Sequence, residues 1–521
     1  MVTVVFKRFY DNGRLAYGPA SFSLIKRGKN AIFIGNKKTV MRKLITILAL
    51  LCYAALLQAQ NLRVAHIFSD HMVLQRDTQA PVWGWGKPGE TVTLLPSWSG
   101  VPVTAKVAKD GTWRVNVETG KAGGPYFLAI RSGKEEIRFD DVLLGEVWVC
   151  AGQSNMEMPI GGFGFQIVEG AREAAIKAAT YAGKVRVIDI KTPRCTEPID
   201  DVDASWKRAS ARSCVGTSAI AWFFATGLAD NLDVPVGIIV NPWGGSRIEA
   251  WMTRESIDAA GITAEERAAI DAVVEDYSKW PETPELIWNG RMAPIAGYAA
   301  KGFLWYQGCS NMDQECYDKL QTSMVKLWRD AWGRGDMPFI FTLLAPYEHY
   351  DANARKRPHF IETQLRSLKT IPNSYAICTE TYGDFGTIHP PKKREVADMM
   401  VFRALQNVYG QEVGFDIELP ELQSVEYLED GRAKVTLTHV WSNLQSITAR
   451  GIVGFELAGE DRVFHLAEAE VDWDGGTIYV HSNAVPRPVA VRYAFRNWMG
   501  ANLEKSMGIP VPPFRTDDWD L

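Results

Sequence analysis

The spacing of apolar and polar residues divides the chain into four stretches. Leu44 to Leu57 is an apolar run broken only by Thr46. From about residue 61 to 140 apolar and polar positions alternate, as in Val101–Val107 and Trp113–Val117, and turn clusters such as Lys87-Pro88-Gly89 and Lys109-Asp110-Gly111 separate them. That period of two predicts half-buried strands and a small, sandwich-like N-terminal β module. From about 141 to 410 the pattern changes. Apolar, strand-like runs stand at Val142–Cys150, Val185–Ile190, Val236–Val240, Gly302–Tyr306, Pro338–Leu344 and Tyr375–Thr379. Helix-spaced stretches fall among and after them at Glu169–Tyr181, Thr217–Asn231, Cys316–Trp332 and Lys392–Tyr409. Strands apolar on both faces, alternating with helices, predict an α/β domain with a mostly parallel, covered sheet. Over 411–521 short strands return at Ala433–Val440, Val453–Leu457, Thr477–His481 and Val489–Arg496, predicting a C-terminal β module.

The first apolar run has a different meaning. Met41-Arg42-Lys43 precedes it and small residues follow near Ala59, the layout of a secretory signal peptide. About 14 residues is short for a bilayer span. The expectation is therefore translation from Met41, an upstream extension over 1–40, and a secreted or periplasmic protein beginning near Gln60 with no stable membrane insertion. This alters the charge balance. The chain of 521 residues has a formal net charge of −4, but residues 1–40 carry eight Lys/Arg against Asp11 and residues 41–60 add Arg42 and Lys43, so the remainder stands at −13. A broad basic surface for nucleic acid is excluded. The seven cysteines form no Cys-x-x-Cys pair and no zinc framework. Eighteen Trp are compatible with sugar stacking and equally with an ordinary core.

In open α/β sheets ligands bind beyond the carboxyl ends of the strands. The residues found there are Gly152-Gln153-Ser154-Asn155-Met156, Asn241-Pro242-Trp243-Gly244-Gly245-Ser246, Gln307-Gly308-Cys309-Ser310-Asn311, and a loop delivering Ile388-His389-Pro390. One serine, paired glycines, carboxamides and one histidine suit acyl transfer. A serine hydroxyl needs an adjacent base, an imidazole titrates near neutrality, and an oxyanion needs preorganised N–H donors. Each element alone has a plain structural explanation, as a helix cap, a tight turn or a loop amide. Their conjunction at one sheet edge favours catalysis.

Gly152-Gln153-Ser154-Asn155-Met156-Glu157-Met158-Pro159 resembles the nucleophile motif of sialate O-acetylesterases in the SGNH-hydrolase superfamily, and is not the Gly-x-Ser-x-Gly elbow. Trp243-Gly244-Gly245-Ser246 with Ile248-Glu249-Ala250-Trp251, Trp305-Tyr306-Gln307-Gly308, Ile388-His389-Pro390 and Pro513-Phe514-Arg515-Thr516-Asp517 extend the resemblance in order over about 61–521. It implies a flavodoxin-like catalytic domain flanked by β modules, and metal-free removal of O-acetyl groups from a sugar or glycan. Ser154 is then the nucleophile and His389 the base. The Ser154 N–H, Gly244 or Gly245, and Gln307 (alternatively Asn311) line the oxyanion hole. Three departures stand out. Cys309 replaces a frequent Glu, Pro242 a frequent Ser, and Gly386 the superfamily's Asp three residues before its His. Asp384 or a backbone carbonyl such as that of Thr387 would then orient the imidazole. The resemblance points to 9-O-acetylated sialic acid, whose carboxylate Arg247 would meet. Acetylated xylan is the same-class alternative, and a non-catalytic sugar-binding protein the alternative of another class.

Overall fold

Seven strands make the central sheet: β1 (Glu135–Gly152), β2 (Val185–Asp189), β3 (Trp206–Arg208), β4 (Val236–Pro242), β5 (Gly302–Tyr306), β6 (Phe339–Thr342) and β7 (Ser374–Ile377). Their order is β3-β2-β4-β1-β5-β6-β7. All neighbours are parallel except the edge strand β3, which runs antiparallel to β2. In this computed structural model of the chain, the described residues are 61–519 apart from 192–193, 274–281, 350, 441–443, 449–450 and 473–475. The expected upstream extension and signal peptide lie outside them. No helix among the described residues is long and apolar enough to cross a membrane.

The sheet is covered by helices on α/β principles. Helix α1 (Ser154–Glu157) follows β1 directly, and α2 (Ala219–Leu232) is buried over most of its length. In α3 (Tyr317–Trp332) the buried residues Leu320, Met324, Val325 and Trp328 recur at helical spacing. Trp328 meets Trp305 at 5.4 Å and Trp251 at 6.2 Å between ring centroids. Trp113, Trp148, Trp222, Trp251, Trp305 and Trp328 are all fully buried, so much of the tryptophan content fills the core. Two further helices, α4 (Lys356–Arg366) and α5 (Lys393–Arg403), sit after β6 and β7. Cys150, Cys214, Cys309, Cys316 and Cys378 are free thiols.

Strand β1 belongs to two structures at once. Its first half alternates and pairs with Gly123–Ser132 of the N-terminal module, and its second half is buried throughout and runs into the parallel sheet. The expected boundary near residue 140 therefore falls inside one continuous strand. In the N-terminal module, Val82, Trp113 and Val117 of one sheet and Val92, Leu94, Leu128 and Ile130 of the other join the main hydrophobic cluster. The C-terminal strands have their own core, including Val435, Leu457, Ile478, Val480, Val491 and Tyr493. Arg357 of α4 fastens this module to the α/β part. Its guanidinium pairs with Glu380 at 2.8 and 3.0 Å and donates to the Asn497 carbonyl at 3.1 Å, with Arg357 0% and Glu380 4% exposed.

Candidate active site

The nucleophile turn is set by the end of β1. Gly152 has φ +136°, and a Cβ there would lie 2.3 Å from the Tyr306 carbonyl oxygen. Only glycine lets the two strand ends close, with the Gln153 N–H donating to that oxygen at 2.8 Å. Ser154 then opens α1, while Met156 and Met158 are buried beneath it. Gln153 is held in the interior by donating to the Ser246 carbonyl (2.8 Å) and to Ser310 Oγ (2.7 Å) and accepting from the Gly308 and Cys309 N–H groups (2.9 and 3.0 Å).

His389 arrives on the loop after β7. Its Nε2 lies 2.7 Å from Ser154 Oγ, and its Nδ1 lies 2.9 Å from Gln166 Oε1. Gln166 is fixed in turn. Its backbone closes a tight loop with Phe163 through bonds of 2.9 and 3.0 Å, and its Nε2 donates to Thr387 Oγ1 at 2.9 Å. The Phe163 ring stands edge-on to the imidazole at 5.3 Å. With Gln166 Oε1 as acceptor, Nδ1 carries the proton and Nε2 is left free to take one from the serine. Burial, followed by the charge of Lys393, pushes His389 down to about 4, so the imidazole is neutral at pH 7.

The other expected site residues are placed differently. Asp384 accepts from the N–H of Gly386 at 2.9 Å in its own loop, and the group facing Nδ1 is Gln166 instead. Gln307 and Asn311 are both 0% exposed. Gln307 Nε2 donates to the Ser246 carbonyl (3.0 Å) and Asn311 Oδ1 (2.6 Å), while its Oε1 accepts from Tyr317 (2.7 Å). Asn311 Nδ2 donates to Glu249 at 2.9 Å and to Gln314. Every amide hydrogen of the two is spent on bracing the loops, which leaves neither carboxamide for an oxyanion. Of the glycine pair, Gly244 donates its N–H to Glu157 Oε2 at 2.6 Å, whereas the Gly245 and Ser154 N–H groups have no acceptor among the described residues. A Cβ on Gly244 would lie 3.4 Å from that of Ser154, so this turn packs directly on the nucleophile. Arg247 is 12% exposed and already engaged by Asp313 (3.4 Å) and Glu249 (3.6 Å), so a substrate carboxylate would compete with two carboxylates for it.

Three residues unread in the sequence border the site, Gln166, Lys393 and Arg291, whose guanidinium lies 4.1 Å from the centroid of Trp243. Asn155, read only as part of the nucleophile motif, joins them. Asn155 Nδ2 donates to the Ile388 carbonyl at 3.0 Å and its Oδ1 accepts from the Lys393 ammonium. Burial pushes the Cys309 thiol up to about 12, which makes it a poor nucleophile at neutral pH. Among the described residues no group of three or more His, Cys, Asp or Glu side chains could hold a metal ion. What remains is a serine, a neutral imidazole and unpaired backbone donors at one sheet edge, a set that can carry out acyl transfer.

Comparison with known proteins agrees with that class. Residues 144–389, from β1 to His389, match the family described as carbohydrate esterase, sialic acid-specific acetylesterase. The sialate O-acetylesterases of Pongo abelii and Homo sapiens are each 29% identical over 512 residues, covering 90% of this chain and 95% of theirs. A solved carbohydrate acetylesterase from Xanthomonas citri is 29% identical with a TM-score of 0.77, covering 88% of this chain and 100% of its own. The chain is similar to the sialate O-acetylesterases over most of its length. It is a carboxylic ester hydrolase.

Proposed function

We propose that this protein removes O-acetyl groups from sugars, with 9-O-acetylated sialic acid as substrate, through an acetyl-Ser154 intermediate. The observation that carries the reading is the contact of 2.7 Å between Ser154 Oγ and His389 Nε2, with Nδ1 held at 2.9 Å by Gln166. Ser154 Oγ attacks the acetyl carbonyl as His389 Nε2 takes its proton. The resulting oxyanion is received by the Ser154 and Gly245 N–H groups, the donors still unpaired. Losing one such donor typically costs roughly 2.7–4 kcal/mol of transition-state stabilisation. His389 returns the proton to the sugar oxygen as the C–O bond breaks. It then deprotonates a water, which releases acetate from Ser154. Orientation of the imidazole falls to Gln166, a neutral partner, in place of a carboxylate. The sialic acid assignment is supported by the family description and by the names of the relatives.

Two points of organisation belong to the same reading. Without the edge pair β2 and β3, the strands β4-β1-β5-β6-β7 stand in the order 2-1-3-4-5 of a flavodoxin-like sheet. We take 61–140, 141–410 and 411–521 as the three structural parts, and export through the signal-like segment from Met41 as the route out of the cytoplasm. The deciding experiment is acetate release from 9-O-acetylated sialic acid and from acetylated xylan, by wild type and Ser154→Ala. Preference for the sialic acid with an inactive variant is expected. Preference for xylan would replace the substrate, and full activity of Ser154→Ala would remove the mechanism.

A further inference from the structure

The reaction steps above make no use of the Lys393 ammonium. Lys393 opens α5 four residues after His389, and it is 1% exposed. Its Nζ donates to Asn155 Oδ1, lies 6.0 Å from the centroid of the Tyr306 ring, and is near the Cys309 thiol. No carboxylate pairs with it among the described residues. Burying an ammonium without a counter-ion costs several kcal/mol, which an aliphatic side chain would avoid. The fold bears that cost beside the reacting atoms.

The geometry shows what the ammonium holds together. Asn155 follows the nucleophile, and its Nδ2 donates at 3.0 Å to the carbonyl of Ile388, the residue before His389. Lys393, Asn155 and Ile388 therefore form a chain of contacts from α5 through α1 to the histidine loop. The two ends of that chain adjoin the two atoms whose separation of 2.7 Å the reaction needs. We propose that Lys393 is a positioning residue that fastens the nucleophile turn to the histidine loop through Asn155, and that its charge adds to burial in disfavouring a protonated His389. The proposal rests on the Ser154–His389 reading.

The surroundings support the electrostatic half. The groups against the His389 ring are Ser154 Oγ, Gln166 Oε1 and the edge of Phe163, none of them charged. The nearby carboxylates face elsewhere, Asp384 toward the Gly386 N–H and Glu157 toward the Gly244 N–H. Lys393 faces Asn155, Tyr306 and Cys309, and burial lowers it to about 7, so it is cationic throughout the acid range in which His389 titrates. A cation there opposes a second positive charge on the imidazole.

The test is the pH profile of kcat/KM with p-nitrophenyl acetate, an uncharged substrate, for two variants of the full chain. Lys393→Gln removes the charge. Its acid limb should move up from about 4 toward the ordinary 6.5 without reaching it, because burial of His389 remains. Asn155→Ala keeps the charge and cuts the tether. Its kcat should fall roughly ten- to a hundredfold, the scale of a small misplacement, with KM and the acid limb little changed. A folded Lys393→Gln enzyme with a wild-type acid limb overturns the proposal. Should that variant fail to accumulate, Asn155→Ala decides alone, since an unchanged kcat overturns the tether. Ser154→Ala in parallel separates the two readings: its activity would remove the catalytic assignment, whereas its inactivity beside an unmoved Lys393→Gln profile removes only this one.

Discussion

Replacing Gln166 by Ala removes the acceptor at 2.9 Å from His389 Nδ1 and the donor at 2.9 Å to Thr387 Oγ1. The imidazole then loses the group that fixes its tautomer and its rotation. An uncharged hydrogen bond contributes about 1 kcal/mol net, and 1.36 kcal/mol is a tenfold rate change, so the bond alone sets a loss of roughly fivefold. A displacement on the order of 1 Å sets the upper end at roughly a hundredfold. We therefore expect kcat/KM of Gln166→Ala to fall between those limits in p-nitrophenyl acetate hydrolysis near neutral pH. Gln166→Glu should act in the other direction on the proton. A carboxylate at that distance favours the imidazolium, so the acid limb rises. Asp384→Ala should stay within about twofold of wild type, because among the described residues Asp384 bonds only within its own loop. Wild-type activity in Gln166→Ala together with a large loss in Asp384→Ala would refute the assignment and restore a carboxylate triad.

Three further outcomes follow from the structure. Because the base must be unprotonated and burial with Lys393 holds His389 near 4, kcat/KM should stay flat down to about pH 5 and fall only below it; half-maximal activity at the ordinary imidazole value of 6.5 would contradict the description of its environment. Gly244→Ala would set a Cβ 2.8 Å from Glu157 Oε2 and 3.4 Å from the Ser154 Cβ, so kcat should drop roughly tenfold or more while the melting temperature changes little. Glu380→Ala leaves the fully buried Arg357 without its carboxylate, and urea unfolding should show a loss of roughly 3–5 kcal/mol, the usual result of breaking a buried pair from one side.

The strands were more legible in the sequence than the partners in the site. Gly302–Tyr306 and Thr477–His481 agree with the expected bounds end to end, the other expected central strands differ by up to seven residues at an end, and the short antiparallel edge strand Trp206–Arg208 was not expected. A strand buried on both faces is mostly apolar, with only single paired charges such as Glu146 and Arg186, and that pattern survives in any register. Helix α4 escaped notice because Arg357 and Gln364 occupy interior positions and break its apolar period. Helix Ala264–Ala272 escaped although Thr263 and Glu266 form a capping box, a signature open to reading. Ser154 and His389 stood out because strand ends and chemistry agree at both. Gln166 carries no such mark, since it lies in an irregular loop and its partner is 223 residues away. Gln307, Asn311 and Arg247 show a different limit. Residue type states which bonds a side chain can make, but only the packed loops decide that all three are turned onto protein partners.

The most direct test of the central claim is mass spectrometry of enzyme quenched in acid during turnover of 9-O-acetylated sialic acid. The account predicts one acetyl group on the peptide carrying Ser154, absent from Ser154→Ala, which should also release no acetate above background. Sustained acetate release by Ser154→Ala, or an acetyl group fixed on another residue, would contradict it.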